Sequence, residues 1–327
     1  MITYFAALLG LTILLYVLLD GFDLGVGIFF GITRDPDDRG SMLASISPVW
    51  DGNETWLVLA ATLLWGAFPR AYSLILPAFY LPIVLMLGAL ILRGVAFEFR
   101  HKARSSRAFW DAAFSAGSFT VAFVQGTAVG AIAAGLPIEN ETFVGGPFSW
   151  WSPFSVLCGM TLSVGYMLLG LGWIIGKTEG QLREKAYSRV NAYTCVVGVL
   201  LVCVFIYSLH LELPILNRWH ERPYLSIFPL VGAVSALLLL FGQRDSRDFR
   251  PFILMSVAFI AAFATFVVSF LPYMLPFSIT IAQASAPPSS LYFMFWGSGL
   301  VVLPIILFYT TTVYRVFRGK LVPNADH

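Results

Sequence analysis

The sequence predicts an all-α polytopic membrane protein with nine transmembrane helices. Of the 327 residues, 58% are hydrophobic and only 12% are charged, which lies outside the range of soluble domains. The apolar segments are each near the roughly 20 residues that a helix needs to cross a bilayer. We therefore expect a single integral membrane domain over residues 1–327, with spans at 3–31, 48–68, 72–97, 113–136, 153–176, 190–210, 224–241, 250–271 and 291–316.

The basic residues predict which loops face the cytoplasm. Most of the 20 lysines and arginines fall on one side of the predicted membrane, and short cytoplasmic loops retain positive charge. Arg93 lies near a helix end, and Arg70, Arg218 and Arg222 fall on the other side. We therefore expect the N-terminus outside and the C-terminus in the cytoplasm. The net charge of +2 reflects this topology, and no basic patch interleaved with aromatic residues indicates a nucleic-acid partner.

An internal repeat predicts how the spans are grouped. Residues 24–31 (LGVGIFFG) match residues 169–176 (LGLGWIIG), so the first span resembles the fifth. Because four spans separate the two copies, both copies point the same way, which predicts two parallel four-helix bundles. We place these at 1–136 and 153–271, with a ninth, peripheral helix at 291–316. Glycines spaced by four in these segments are typical of close helix packing.

Two aspartates lie inside the first apolar span. A carboxylate in hydrocarbon costs several kcal/mol, so it normally faces protein or water and usually has a function. Asp20 and Asp23 are three residues apart and therefore lie on nearly one face of a helix. Their counterparts in the repeat are Gly165 and Leu168, so the fold itself does not require the acids.

The second and third spans add further charges at a similar predicted depth. Asp51 falls in the first turn of the second helix, where a carboxylate is also explained by the helix dipole, and Glu54 lies deeper. Arg93 and Glu98 lie at the predicted cytoplasmic end of the third span. We expect all six groups to converge and Arg93 to pair with one of the acids. Either a structural ion network or a route for proton uptake from the cytoplasm would explain such a cluster.

The histidines and cysteines do not predict a metal or haem site within this chain. No two histidines have the helical spacing that such a site needs, and no two cysteines form a C-x-x-C pair. We therefore expect no metal and no redox centre held wholly by this chain. The residues concerned are His101, His210, His220, His327, Cys158, Cys195 and Cys203.

Three segments together resemble subunit II of cytochrome bd-type quinol oxidases, including the cyanide-insensitive branch. They are residues 19–27 (LDGFDLGVG), 48–56 (PVWDGNETW) and 93–100 (RGVAFEFR). The resemblance implies a bacterial inner-membrane complex in which subunit I carries haems b and d and oxidises ubiquinol or menaquinol. Subunit II would pack beside it in the membrane lipid. Some members also hold a quinone in subunit II, for which these segments define no pocket, and the resemblance leaves a small accessory subunit open.

In that family the aspartate of the W-D-G-N motif, here Asp51, lies on a proton route from the cytoplasm to the oxygen-reducing haem. Asp20, Asp23 and Arg93 match positions near that route. The function implied is a share in the reduction of oxygen to water. Two other functions stay open at this point: a stand-alone proton-coupled transporter, and a subunit that only stabilises a haem-bearing neighbour.

Overall fold

The computed structural model describes residues 1–103, 105–211, 219–242 and 249–321. Two short hairpins, β1–β2 (Ile138–Glu139, Thr142–Phe143) and β3–β4 (Tyr273–Leu275, Ile279–Thr280), lie in loops between helices. The remaining elements are helical. The α-helices are α1 Ile2–Ile32, α2 Pro36–Ile46, α3 Trp50–Ala67, α4 Pro69–Ala78, α5 Tyr80–Lys102, α6 Arg107–Ala134, α7 Pro153–Lys177, α8 Gly180–His210, α9 Ile227–Phe241, α10 Arg250–Phe270, α11 Ile281–Ala284, α12 Pro288–Met294 and α13 Leu303–Val316.

The described helices confirm an all-α polytopic membrane fold. Eight of them are long and apolar enough to cross a bilayer, and a ninth span is present if the bent pair α3–α4 is counted as one. The last of these spans combines α12, a π-helical stretch over Phe295–Val302, and α13.

The main departure from the predicted spans is a break within the third, at Phe79. Helices α3 and α4 are inclined by 120°, and the predicted third span at 72–97 is divided between α4 and α5. Phe68, at the bend, has a ψ of 57°, outside the helical range. The residue before a proline is disfavoured in helical geometry, and Pro69 follows directly. A proline therefore separates α3 from α4 between the predicted spans 48–68 and 72–97.

Helix α1 crosses α7 at equivalent glycines of the internal repeat. Gly25 and Gly170 occupy the same place in the two copies, and a Cβ atom on Gly170 would lie 2.5 Å from the backbone of Gly25. The same crossing brings the ring of Tyr166 onto Gly21. Small residues at these positions allow the two backbones to touch, which is how helices pack closely in lipid.

The repeat also governs which helix each glycine faces. Gly27 on α1 faces Phe114 of α6, and its counterpart Gly172 on α7 faces Phe252 of α10. Each copy thus packs on the last helix of its own predicted bundle. Because α6 packs on α7 as extensively as it packs on α5, the division into two four-helix bundles stays a prediction.

Two polar contacts lie at the start of the short helix α2. Asp35 caps α2 by accepting a hydrogen bond from the Asp37 backbone N–H at 3.0 Å, and this bond lowers the pKa of Asp35 below its usual value. Asp38 accepts a hydrogen bond of 2.6 Å from Lys185 of α8. Lys185 therefore links the first turn of α2 to α8.

Replacing Gly25 by alanine is expected to destabilise the protein, because the added methyl group would enter the backbone of α7. Overpacking of this kind costs about 1–3 kcal/mol. The matched control is Gly10→Ala on the same helix, since a Cβ atom there meets nothing within 4 Å. Thermal unfolding of the purified assembly should show a lower midpoint for Gly25→Ala alone. Equal midpoints for the two variants would contradict the assigned crossing.

Candidate functional site

Arg93 joins three helices at a buried ion-pair cluster. From α5 its Nη1 donates to Oδ1 of Asp20 on α1 at 3.2 Å and to Oε1 of Glu54 on α3 at 2.7 Å. The side chains of Arg93 and Asp20 are 1% and 0% exposed, and that of Glu54 is 24% exposed. The predicted pairing of Arg93 with an acid is confirmed, and two acids share it.

Asp23 belongs to the same site but accepts its hydrogen bond from an amide and not from the guanidinium. Asn53 Nδ2 on α3 donates to Asp23 Oδ2 at 2.7 Å and to the Leu19 carbonyl at 3.2 Å. The Asn53 Oδ1 atom in turn accepts a hydrogen bond of 3.0 Å from the Tyr314 hydroxyl of α13. Sequence reasoning assigned no role to Asn53 or Tyr314, although Asn53 lies in the W-D-G-N motif.

A third set of polar groups extends the site toward α6 and α7. Tyr16 lies one turn before Asp20 on α1 and interacts with its carboxylate. Gln125 of α6 donates from Nε2 to the Tyr16 hydroxyl at 2.5 Å and accepts from the Tyr166 hydroxyl of α7 at 3.0 Å. Gln125 was not predicted, yet an amide within an apolar span is a signal that could have found it.

Several polar atoms of the cluster have no hydrogen-bond partner among the described residues. They are Asp20 Oδ2, Asp23 Oδ1, and Nε and Nη2 of Arg93, all buried. Two carboxylate oxygens and two nitrogens of the guanidinium are thus left without a described partner. Polar atoms buried in this way are normally satisfied by ordered water.

Asp51 and Glu98 lie outside the ion-pair network. Both residues are exposed, and neither forms an ion pair with any described residue. Glu98 follows Arg93 by five positions on α5 and so points away from it. Asp51 lies at the rim, close enough to Glu54 for their charges to interact. The expected convergence of all six groups is therefore wrong for Glu98 and holds only at the rim for Asp51.

The remaining residues of the W-D-G-N motif support this geometry. The guanidinium of Arg93 lies 6.0 Å from the ring centroid of Trp50, within cation–π range. Gly52 lies beneath Tyr309 of α13, where a Cβ atom would be 3.1 Å from the ring. Trp50 therefore lies against the charged group, whereas the Tyr309 ring lies beside Gly52 on α3.

A family model provides the first comparison with known proteins. The model for cytochrome bd terminal oxidase subunit II matches residues 1–317. The chain belongs to the cytochrome bd terminal oxidase subunit II family. The resemblance drawn from the three sequence segments is thereby confirmed.

Individual relatives align with nearly the whole length of this chain. It is 29% identical to the probable cytochrome oxidase subunit 2 of Haemophilus influenzae, covering 93% of this chain and 91% of the relative. It is 28% identical to the cytochrome bd-I ubiquinol oxidase subunit 2 of Escherichia coli, covering 96% and 93%. The cytochrome bd ubiquinol oxidase subunit 2 of Bacillus subtilis is also 28% identical, with coverage of 94% and 92%.

A solved structure shows the same fold. A chain in the structure of the bd oxidase from Geobacillus thermodenitrificans has a TM-score of 0.75 with this chain at 18% sequence identity. The match covers 97% of this chain and 98% of that chain. Together with the family model, it identifies this chain as a multi-pass membrane subunit of a terminal oxidase, and such a subunit II implies a partner subunit I.

A second charged cluster in this bd oxidase subunit was not predicted. Asp111 of α6 pairs with Arg39 of α2 at 2.8 Å and with Arg100 of α5. Both guanidinium groups also lie over the ring of Phe30, at 4.9 and 5.3 Å from its centroid. Asp111 lies just before the predicted span at 113–136, where an acid is not unusual, so nothing in the sequence singled it out.

The described part of this bd oxidase subunit holds no cluster of three or more histidine, cysteine, aspartate or glutamate side chains that could bind a metal ion. His210 and His220, the histidines whose side chains are described, are both exposed.

Arg93→Leu is expected to destabilise the subunit strongly, because two carboxylates would lose their shared partner. Breaking a buried ion pair costs about 3–5 kcal/mol. Adding Asp20→Asn and Glu54→Gln should recover part of the loss, since the unpaired charges are then removed. The measurement is thermal unfolding of the purified complex.

The matched control is Arg70→Leu. Arg70 pairs with Glu141 at 3.7 Å, with side chains 59% and 71% exposed, and exposed pairs contribute little stability. A loss at Arg70 as large as that at Arg93 would show that the buried pairing is not what stabilises the subunit.

Proposed function

We propose that this chain is subunit II of a quinol oxidase and that it delivers protons from the cytoplasm to the oxygen-reducing haem of subunit I. The observation that carries the proposal is the buried cluster in which Arg93 bridges Asp20 and Glu54, with Asp23 beside it and Asp51 exposed at its rim. This arrangement supports a route that begins at Asp51 and continues through Glu54 to the buried acids.

The balance of charge supports exchange of protons at this cluster. Three carboxyl groups, of Asp20, Asp23 and Glu54, surround one guanidinium among the described residues. Uncompensated charge is expensive in a membrane interior, so the cluster is stabilised when protons reduce its excess negative charge. The unpartnered oxygens of Asp20 and Asp23 are where such protons can be held.

The position of Asp51 supports a role as the entry group. It is exposed, whereas Asp20 and Asp23 are completely buried. Its interaction with Glu54 links a residue that can exchange protons with water to the cluster behind it. With the N-terminus outside, as the basic loops predict, this end of the cluster faces the cytoplasm.

We infer that the redox chemistry takes place in the partner. We assign haems b and d and the site that oxidises ubiquinol or menaquinol to subunit I. The relatives from E. coli and B. subtilis are named as subunit 2 of a ubiquinol oxidase. When bound in subunit I, the haems would pass the electrons of quinol to oxygen, which is reduced to water. The present chain holds and moves protons at carboxyl oxygens, so that consumed protons enter from inside. We assign no quinone pocket and no surface for an accessory subunit to this chain.

Membership of the family over residues 1–317 favours an oxidase subunit over a stand-alone proton-coupled transporter. A purely stabilising subunit is the remaining alternative. It is distinguished from the proposal by a substitution that removes proton exchange at the rim and leaves the buried ion pairs in place.

Asp51→Asn is that substitution, and it is expected to slow oxidase turnover by about tenfold or more. The amide is close in size to the carboxyl group but cannot carry the proton, and a positioned proton-transfer group contributes roughly 10²–10⁴-fold to rate. Oxygen consumption with quinol should be measured on the purified complex at matched haem content.

Glu139→Gln, an exposed acid of the β1–β2 hairpin, is the control and should leave turnover unchanged. Full turnover in an Asp51→Asn complex with a normal haem absorption spectrum would leave only the stabilising role.

A further inference from the structure

The amide of Asn53 is held in a single orientation by its surroundings. The Asp23 carboxylate and the Leu19 carbonyl can only accept hydrogen bonds when Asp23 is ionised, so Nδ2 must face them. Oδ1 then faces the Tyr314 hydroxyl, which donates to it at 3.0 Å. Asn53 is 1% exposed, so the surroundings leave little room for another arrangement.

Among the described residues, Tyr314 is the residue of the last helix that hydrogen-bonds to this site. No residue of α13 is buried, so apolar burial alone fixes this helix weakly. The Tyr314 ring also meets the Trp173 ring of α7 edge-on, with centroids 6.1 Å apart. A hydroxyl from the C-terminal helix is thus held between α3 and α7 and aimed at Asn53.

Asp23 differs from Asp20 in how it is held. Asp20 receives a hydrogen bond from Arg93, whereas Asp23 receives its described side-chain hydrogen bond from Asn53 on Oδ2. Its other oxygen, Oδ1, is buried and has no partner among the described residues. The Asn53 amide therefore decides which carboxylate oxygen is bonded and which can take up a proton.

We propose that Asn53 and Tyr314 are positioning residues for proton delivery: Tyr314 fixes the Asn53 amide, and the amide holds Asp23 with one oxygen free to exchange protons. This inference rests on the proposed function and adds α13 to the site. Neither residue itself carries the proton.

The test compares three variants of the complete purified complex at matched haem content. Asn53→Leu should lower turnover about tenfold, equivalent to about 1.4 kcal/mol, and displace its pH dependence, because a hydrogen bond to a charged group is lost. Tyr314→Phe should lower turnover about threefold, in keeping with one neutral hydrogen bond. The double variant should match Asn53→Leu, because the hydroxyl acts only through the amide.

Tyr309→Phe is the matched control on the same helix. The Tyr309 ring packs over Gly52 and is retained in phenylalanine, so turnover and its pH dependence should be unchanged.

If turnover in the double variant falls by the product of the two single effects, the two residues act independently. That result would overturn the coupling of Tyr314 to Asn53. An unaltered pH profile of turnover in Asn53→Leu would show a merely structural role. The same conclusion would follow if Tyr314→Phe lowered thermal stability and left turnover complete. If Asn53→Leu does not assemble, Tyr314→Phe decides by itself.

Asp23→Asn separates this inference from the proposed function. Full turnover in Asp23→Asn together with slow turnover in Asp51→Asn would overturn this inference and leave the proposed function in place. Slow turnover in Asp23→Asn together with normal turnover in Asn53→Leu and Tyr314→Phe would overturn the positioning role alone.

Discussion

One buried guanidinium determines how the first half of this protein is arranged. Arg93 lies on α5, and its two acid partners come from α1 and α3. None of the three side chains could remain charged in a membrane interior alone, so each helix depends on the other two for a partner. The same guanidinium also holds carboxyl oxygens at a fixed depth. The contact that stabilises the bundle is therefore the one that creates a place for protons.

The close approach of α1 and α7 has a second consequence for this site. Gly21 and Gly25 allow Tyr166 to lie directly on α1, which brings its hydroxyl within reach of Gln125. Through Gln125 and Tyr16 a residue of the second half thus contacts the polar chain that ends at Asp20. A larger residue at Gly21 or Gly25 would separate these hydroxyl groups as well as the helices.

The sequence predicts the parts of this molecule that depend on local pattern. Apolar length predicted the membrane fold, and the cost of charge in lipid predicted that Arg93 would meet an acid. Contacts between distant residues were not predictable, since Tyr314 and Asn53 are 261 positions apart and the local pattern around neither residue indicates the other. Glu98 was misplaced because similar depth was taken to mean proximity, whereas direction around the helix decides contact.

The two copies of the repeat show that the charged site is an addition to the fold. Gly25 and Gly170 pack on each other, and the next glycine of each copy, Gly27 or Gly172, faces the fourth helix of its own predicted bundle. At the place of Asp20, however, the second copy has Gly165, which faces the Phe259 ring. Stacked rings of Phe259 and Tyr166, 5.6 Å apart, occupy that region with apolar surface. Because the same backbone tolerates an aromatic filling, packing does not explain the acids of the first half, and their chemistry does.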